Sequence, residues 1–318
     1  MKQDIDMKDN ILTYTPRRND RLIQCVAADG MVRVALIDGT ELVREARRVH
    51  GLSRVATAAL GRQLMMTAIM AADLKGEHDL VSTIIKGDGP AGSMICTGNS
   101  HIEVKGSVTN GDVELPPNEQ GKLNVSGFVG HEGKLSVVSD LGLKEPYVGL
   151  CNLVSGEIAI DFANYYAASL QRPALVYLGV RERAESGEVR AAVGVFAEPL
   201  PGCPDEVIDR LQAKSGEISR FSERLDAGEL PEDLLESVFG EFGLTIVGER
   251  EPLYRCDCSR ERIERALLST GRAELTGMIE EDHGAEVTCR FCDKLYQFSE
   301  EDLRALIDAA TAGEDEDE

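Results

Sequence analysis

With 318 residues, 42% of them apolar, the chain is long enough for two domains or for one large domain with a satellite. Its formal net charge of -22 repels nucleic acid backbones and anionic lipid alike, which argues against nucleic acid or a membrane as partner. The N-terminal stretch MKQDIDMKDN carries acids where a secretory signal needs a basic and then an apolar region, so a cytoplasmic location is expected.

Residues 21–200 read as one continuous α+β domain. A short strand pattern from Met31 to Leu36 precedes a long helix that Ser53 caps and Gly76 ends. The apolar run from Val55 to Leu74 contains Arg62, Gln63 and Asp73, all costly in hydrocarbon, so it predicts a buried helix and not a membrane span. Met65, Met66 and Met70 on that helix suit either core packing or promiscuous apolar contacts, because thioethers are flexible and polarisable. Gly87-Asp88-Gly89-Pro90 lacks the Lys and Ser/Thr of a phosphate cradle and predicts a tight turn. Glycines and alternating apolar residues at His101 to Val108 and Leu123 to Val138 predict strands. A helix from Glu157 to Leu170 stops before Pro173. Ala174 to Arg183 and Glu188 to Phe196 then form a hairpin across Glu185-Ser186-Gly187.

The cluster Glu198-Pro199-Leu200-Pro201-Gly202-Cys203-Pro204 breaks regular structure and opens a linker. From Cys203 to Arg250 there are twelve Asp or Glu against five Lys or Arg. Apolar residues recur there at helical spacing: Val207 and Leu211; Ile218, Phe221 and Leu225; Leu234, Leu235, Val238, Phe239 and Phe242. Such short amphipathic helices depend on docking. Gly313 to Glu318 form an acidic tail unable to build a core.

Cys256-Asp257-Cys258, thirty further residues, then Cys289-Arg290-Phe291-Cys292 is the one strong chemical pattern. Two close pairs of soft thiolates across a loop are what a tetrahedral four-cysteine zinc site requires. Arg255, Arg260, Arg262, Arg290 and Lys294 would favour thiolate, the form that binds metal and reacts with oxidants, unless they are an ordinary solvated face. Cys25, Cys96 and Cys151 lie in apolar surroundings and read as core residues, Cys203 as a boundary residue, and His283 as a loop residue and not a ligand. A zinc-ribbon nucleic-acid binder would need a basic stripe that this acidic chain lacks. A thiol-disulfide oxidoreductase would place CxxC between a strand and a helix, whereas Lys294 to Phe298 reads as a strand.

These residues resemble the redox-regulated thirty-three-kilodalton chaperonin (heat shock protein 33) family from about Asp20 to Ala309. The resemblance rests on Cys256 to Arg262, on Glu286 to Cys292, and on Tyr296 and Phe298. In the first domain it rests on Leu60-Gly61-Arg62, Gly87 to Pro90, Glu145 to Gly149 and Ser155 to Ile158, with Asp161, Tyr165 and Gln171. Leu170, between Ser169 and Gln171, stands where the family usually has an acid, and Ala192-Val193-Gly194 replaces its usual Ala-Gly-Gly.

The resemblance implies a core chaperone domain over residues 1–200 and a metastable helical linker over 201–250. A four-cysteine zinc redox-switch domain follows over 251–312, then a disordered tail over 313–318. It further implies a holdase without enzymatic activity or need of ATP, inactive while one Zn2+ per chain sits on Cys256, Cys258, Cys289 and Cys292. Oxidation would join Cys256 to Cys258 and Cys289 to Cys292, release zinc, unfold the linker and give a homodimer that holds unfolded client proteins.

Overall fold

A computed structural model of the chain describes residues 19–314, with side chains through residue 309. The N-terminal stretch MKQDIDMKDN and residues 315–318 of the acidic tail lie outside the described residues. β1 (Arg21–Ala27) and β2 (Val32–Asp38) pair antiparallel, Arg21 opposite Asp38. Ala28 and Asp29 turn the chain at φ 51° and 52°, the left-handed conformation that suits the twist of a hairpin. Asp20 caps α1 (Thr40–His50) from a distance: its carboxylate accepts the amides of Glu41 and Leu42 at 2.8 and 2.6 Å.

Ser53 caps α2 (Arg54–Ala71) as its sequence predicts, its Oγ accepting the Ala56 amide. The helix stops at Ala71, short of Gly76, and the Asp79 carboxylate accepts the amide of Gly76 at 2.7 Å in the turn that follows. Fifteen of the eighteen residues of α2 are buried, Met65 and Met66 completely, so these thioethers fill the core and offer clients no surface. Its polar residues find partners inside the protein, although Gln63 Oε1 and Arg62 Nε are left without one. Gln63 donates to the Thr83 carbonyl at 2.9 Å, and Arg62 pairs with Glu157 at 2.6 Å.

β3 (Leu80–Gly87), β4 (Ser93–Asn99), β5 (Glu103–Val108), β6 (Gly133–Asp140) and β7 (Tyr147–Asn152) form a second antiparallel sheet in the order β5-β4-β3-β6-β7. The strand expected from Leu123 begins instead as α3 (Val125–Val129). The Asn124 side chain accepts the Gly127 amide there and starts a helical turn. α4 (Ile158–Ala168) lies inside the expected helix, and β8 (Leu175–Glu182) and β9 (Val189–Pro199) form the expected hairpin. This hairpin extends the first sheet to β1-β2-β9-β8, and α2 packs against strands of both sheets.

The first sheet is buried on both faces. Ala35, Ile37, Ala192 and Phe196 belong to the core around α2, whereas Val34, Leu36, Val193 and Val195 turn the other way into a second core. Four helices of the linker roof that second core: α5 (Asp205–Ala213), α6 (Ser215–Ile218), α7 (Phe221–Asp226) and α8 (Pro231–Phe239). Every apolar linker position singled out by its spacing packs there, from Val207 and Leu211 to Phe242. At four to nine residues these helices are too short to persist alone in water, so the sheet holds them. Burying each Leu or Phe contributes about 1.5–3 kcal/mol.

The end of the stretch expected to be helical is a strand, where the β-branched Thr245, Ile246 and Val247 suit an extended backbone. This β10 (Thr245–Arg250) adds antiparallel to β1. Three residues later β11 (Leu253–Tyr254) adds in parallel to β5, so one passage of chain edges both sheets. The remaining elements are α9 (Arg260–Leu268), α10 (Arg272–Glu280), β12 (Gly284–Thr288), β13 (Leu295–Ser299) and α11 (Glu300–Glu314). They enclose a small third core of Leu267, Leu275, Ile279, Tyr296, Phe298 and Leu303. The first two residues of the expected tail, Gly313 and Glu314, continue α11.

Candidate metal centre

Two bends bring the four cysteines together. Cys256 and Cys258 leave β11 just before Ser259, whose hydroxyl accepts the Arg262 amide and starts α9. Cys289 and Cys292 occupy the turn between β12 and β13. The Cys289 amide donates to the Lys294 carbonyl at 2.9 Å and the Asp293 amide to the Cys289 carbonyl at 2.8 Å, with Asp293 at φ 57°.

All four sulfurs lie within 4.8 Å of one another. Cys256 and Cys289 are 3.6 Å apart, and Cys258 and Cys292 are 3.4 Å apart. The edge of a tetrahedral tetrathiolate metal site is about 3.8 Å, so the donor set and its spacing fit a bound metal ion. Cys289 is buried in the third core and the other three are half-buried, which limits the access of water to the site.

Burial raises the Cys258 thiol, but hydrogen bonds from the Tyr296 hydroxyl and from the neighbouring cysteines outweigh it and bring Cys258 down to about 7. Burial pushes Cys292 up to about 11, against the pull of the Lys294 amide, and raises Cys256 as well. Four of the five cations expected to favour thiolate are engaged with other groups. Arg255 pairs with Glu103, Arg260 with Glu264 and Asp302, and Arg262 with Asp257, while Lys294 lies over the Tyr296 ring. Thiolate preference at Cys258 thus comes from a hydroxyl and neighbouring thiols.

His283 is exposed and pairs with Glu300 at 2.9 Å, as a loop residue should. Cys25 and Cys96 are buried, and Cys151 and Cys203 half-buried, away from the cluster.

Contacts that sequence reasoning missed seat the centre against the first domain. Tyr254 donates to the Phe291 carbonyl at 2.7 Å, Lys105 pairs with Asp257 and lies 5.2 Å from the Phe291 ring centroid, and His50 Nδ1 is 3.4 Å from Asp293. His50 and Lys105 precede the cysteines by some 150 residues or more, and no local pattern in the sequence marks them.

A two-sheet α+β core, a roof of short helices and a four-cysteine module together define the class of protein. The model of the Hsp33 protein family matches residues 20–299, and the chain belongs to that family. It is 44% identical to the 33 kDa chaperonin of Acetivibrio thermocellus over 288 residues, covering 91% of this chain and 97% of the relative. It is 43% identical to the 33 kDa chaperonin of Latilactobacillus sakei over 289 residues, covering 91% and 98%. The crystal structure of the 33 kDa chaperonin of Thermotoga maritima superposes with a TM-score of 0.82 at 35% identity, covering 93% of this chain and all of that one. Family membership and the four-cysteine cluster fit a chaperone. No helix among the described residues is long and apolar enough to cross a membrane.

Proposed function

We propose that this chain is a redox-regulated, ATP-independent holdase that binds unfolding proteins in the cytoplasm under oxidative stress. The reduced form is inactive, with one zinc ion on Cys256, Cys258, Cys289 and Cys292. Oxidation joins Cys256 to Cys258 and Cys289 to Cys292, which removes all four metal donors; the linker over residues 201–250 then unfolds and the chains dimerise. The core over 1–200 is the chaperone unit, the module over 251–312 the switch, and 313–318 an acidic tail.

The observation that carries this reading is the second core. An apolar sheet face lies under four short acidic helices, and the chain runs from them through β10 and β11 into Cys256. Four thiolates at tetrahedral spacing suit zinc. A structural zinc site contributes on the order of 10 kcal/mol or more, whereas whole domains are stable by only ~5–15 kcal/mol. A module of roughly sixty residues with so small a core depends on its metal, and loss of the donors becomes an unfolding signal.

The test is zinc content and suppression of client aggregation without ATP, measured on one sample before and after oxidation. One zinc per chain and no holding before, with no zinc and strong holding after, is the expected result. Equal holding by the reduced, zinc-loaded protein overturns the reading.

A further inference from the structure

Tyr254, two residues before the first cysteine of the centre, closes a contact between metal loop and core in which the linker helices take no part. β11 lays it beside Val104 of β5, and the amides of Leu253 and Arg255 donate to the carbonyls of Ile102 and Val104 at 3.1 and 2.9 Å. The Tyr254 hydroxyl is 2.7 Å from the carbonyl of Phe291, inside the Cys289–Cys292 loop, and 3.0 Å from the carbonyl of Gly106. His50, the last residue of α1, brings Nε2 to 2.9 Å from both the Tyr254 hydroxyl and the Gly106 carbonyl. Its side chain is only 9% exposed, and its other nitrogen faces Asp293. One phenolic oxygen is thereby shared among α1, β5, β11 and the metal loop.

We propose that Tyr254, oriented by His50, is a latch that couples the shape of the Cys289–Cys292 loop to the edge of the core, so that oxidation of this pair frees β11 directly. The proposal rests on the redox reading above. Phe291 is the residue before Cys292, and the loop is held by the Asp293 amide on the Cys289 carbonyl. Two sulfurs held at ligand spacing must close to about 2.0 Å to bond, and the turn between them carries the Phe291 carbonyl with it. The Tyr254 hydroxyl then loses its nearer acceptor. Apart from the latch, the two residues of β11 are held to β5 by the Leu253 and Arg255 amides and by the Arg255–Glu103 ion pair, with Lys105 on Asp257 just beyond, and only Glu251 and Pro252 separate β11 from β10. Release of β11 reaches the C-terminal anchor of the linker without first melting a linker helix.

Tyr254→Phe keeps the ring and deletes the hydroxyl; His50→Leu keeps bulk and deletes the ring nitrogens. In the reduced, metal-loaded full chain both should keep their metal and leave the linker helices as protected as in wild type. Amide exchange at Leu253 and Arg255 should quicken by about tenfold, the effect of losing roughly one hydrogen bond. On graded oxidation, client holding should begin at a lower oxidant dose than in wild type. Unchanged exchange at both amides in metal-loaded Tyr254→Phe overturns the latch. So does loss of metal from that variant before any oxidant, which would make the tyrosine a support of the centre itself. The exchange measurement judges the latch without reference to client holding. Its failure is therefore distinct from a wild-type chain that never holds clients after oxidation, which would overturn the redox reading.

Discussion

The hydroxyl of Tyr296 donates to Cys258 Sγ across 3.1 Å. Alternation along β13 turns Tyr296 and Phe298 into the third core, which puts the phenol against the cysteines from inside the module. Against the burial that raises it, Cys258 is brought to about 7 by this bond first and then by its neighbouring cysteines. Tyr296→Phe should therefore raise the pH at which acid displaces metal from the reduced, metal-loaded protein, because protons compete better for Cys258 without that bond. Metal release followed against pH checks this, and an unmoved midpoint would count against the bond.

Replacing Cys289 and Cys292 by Ser removes two of the four donors from the cluster. The double variant should bind no metal and lose the order of the terminal module, a cost on the order of 10 kcal/mol, with the two-sheet core intact. Metal analysis together with exchange over residues 256–309 decides it, and full metal retention would contradict the four-thiolate assignment.

Phe239 is completely buried where α8 meets the first sheet. Truncation to Ala should cost ~3–5 kcal/mol, a large share of what short helices gain by docking. The reduced Phe239→Ala protein should keep its metal yet bind an apolar dye and be cut by protease within the linker. Wild-type behaviour in both assays would show that the roof does not depend on this contact.

Much of this architecture was legible in local pattern, and the rest was not, for identifiable reasons. Ser53 as a cap, the β8–β9 hairpin and the apolar stripe from Leu211 to Phe242 each follow from residues within a few positions of one another. The cysteine pairs were equally visible because each supplies two ligands from one bend. α3 was hidden because Asn124 starts a helix inside a stretch whose glycines and alternation read as strand. β10 was hidden because the acidic, helix-spaced residues before it suggested that the linker stayed helical, whereas its pairing with β1 lies over two hundred residues away. The seat of the metal loop on His50 and Lys105 is long-range for the same reason. Five basic residues near the cysteines suggested a direct charge effect, whereas Arg255, Arg260, Arg262 and Lys294 are spent on carboxylates and ring faces.

Cys25 and Cys96 make a matched pair of reporters for the oxidative transition, because both are buried but under different roofs. Cys25 lies on β1 at 1% exposure in the second core, where linker helices cover it, and burial pushes it up to about 11. Cys96 lies on β4 in the core around α2 and is also raised well above the ordinary range by burial. Unfolding of the linker should return Cys25 toward solvent and toward an ordinary thiol, whereas Cys96 depends on the two sheets staying together. After oxidation with a reagent that spares buried thiols, Cys25 should become open to alkylation on the timescale of metal release, and Cys96 should stay closed. Amide protection should fall from Asp205 to Tyr296 in the same sample while β2, α2 and β4 remain protected. Opening of both thiols together would mean global unfolding, and neither opening while clients are held would mean that the linker stays docked. Either result would replace the unfolding mechanism, even though the chaperone activity itself could stand.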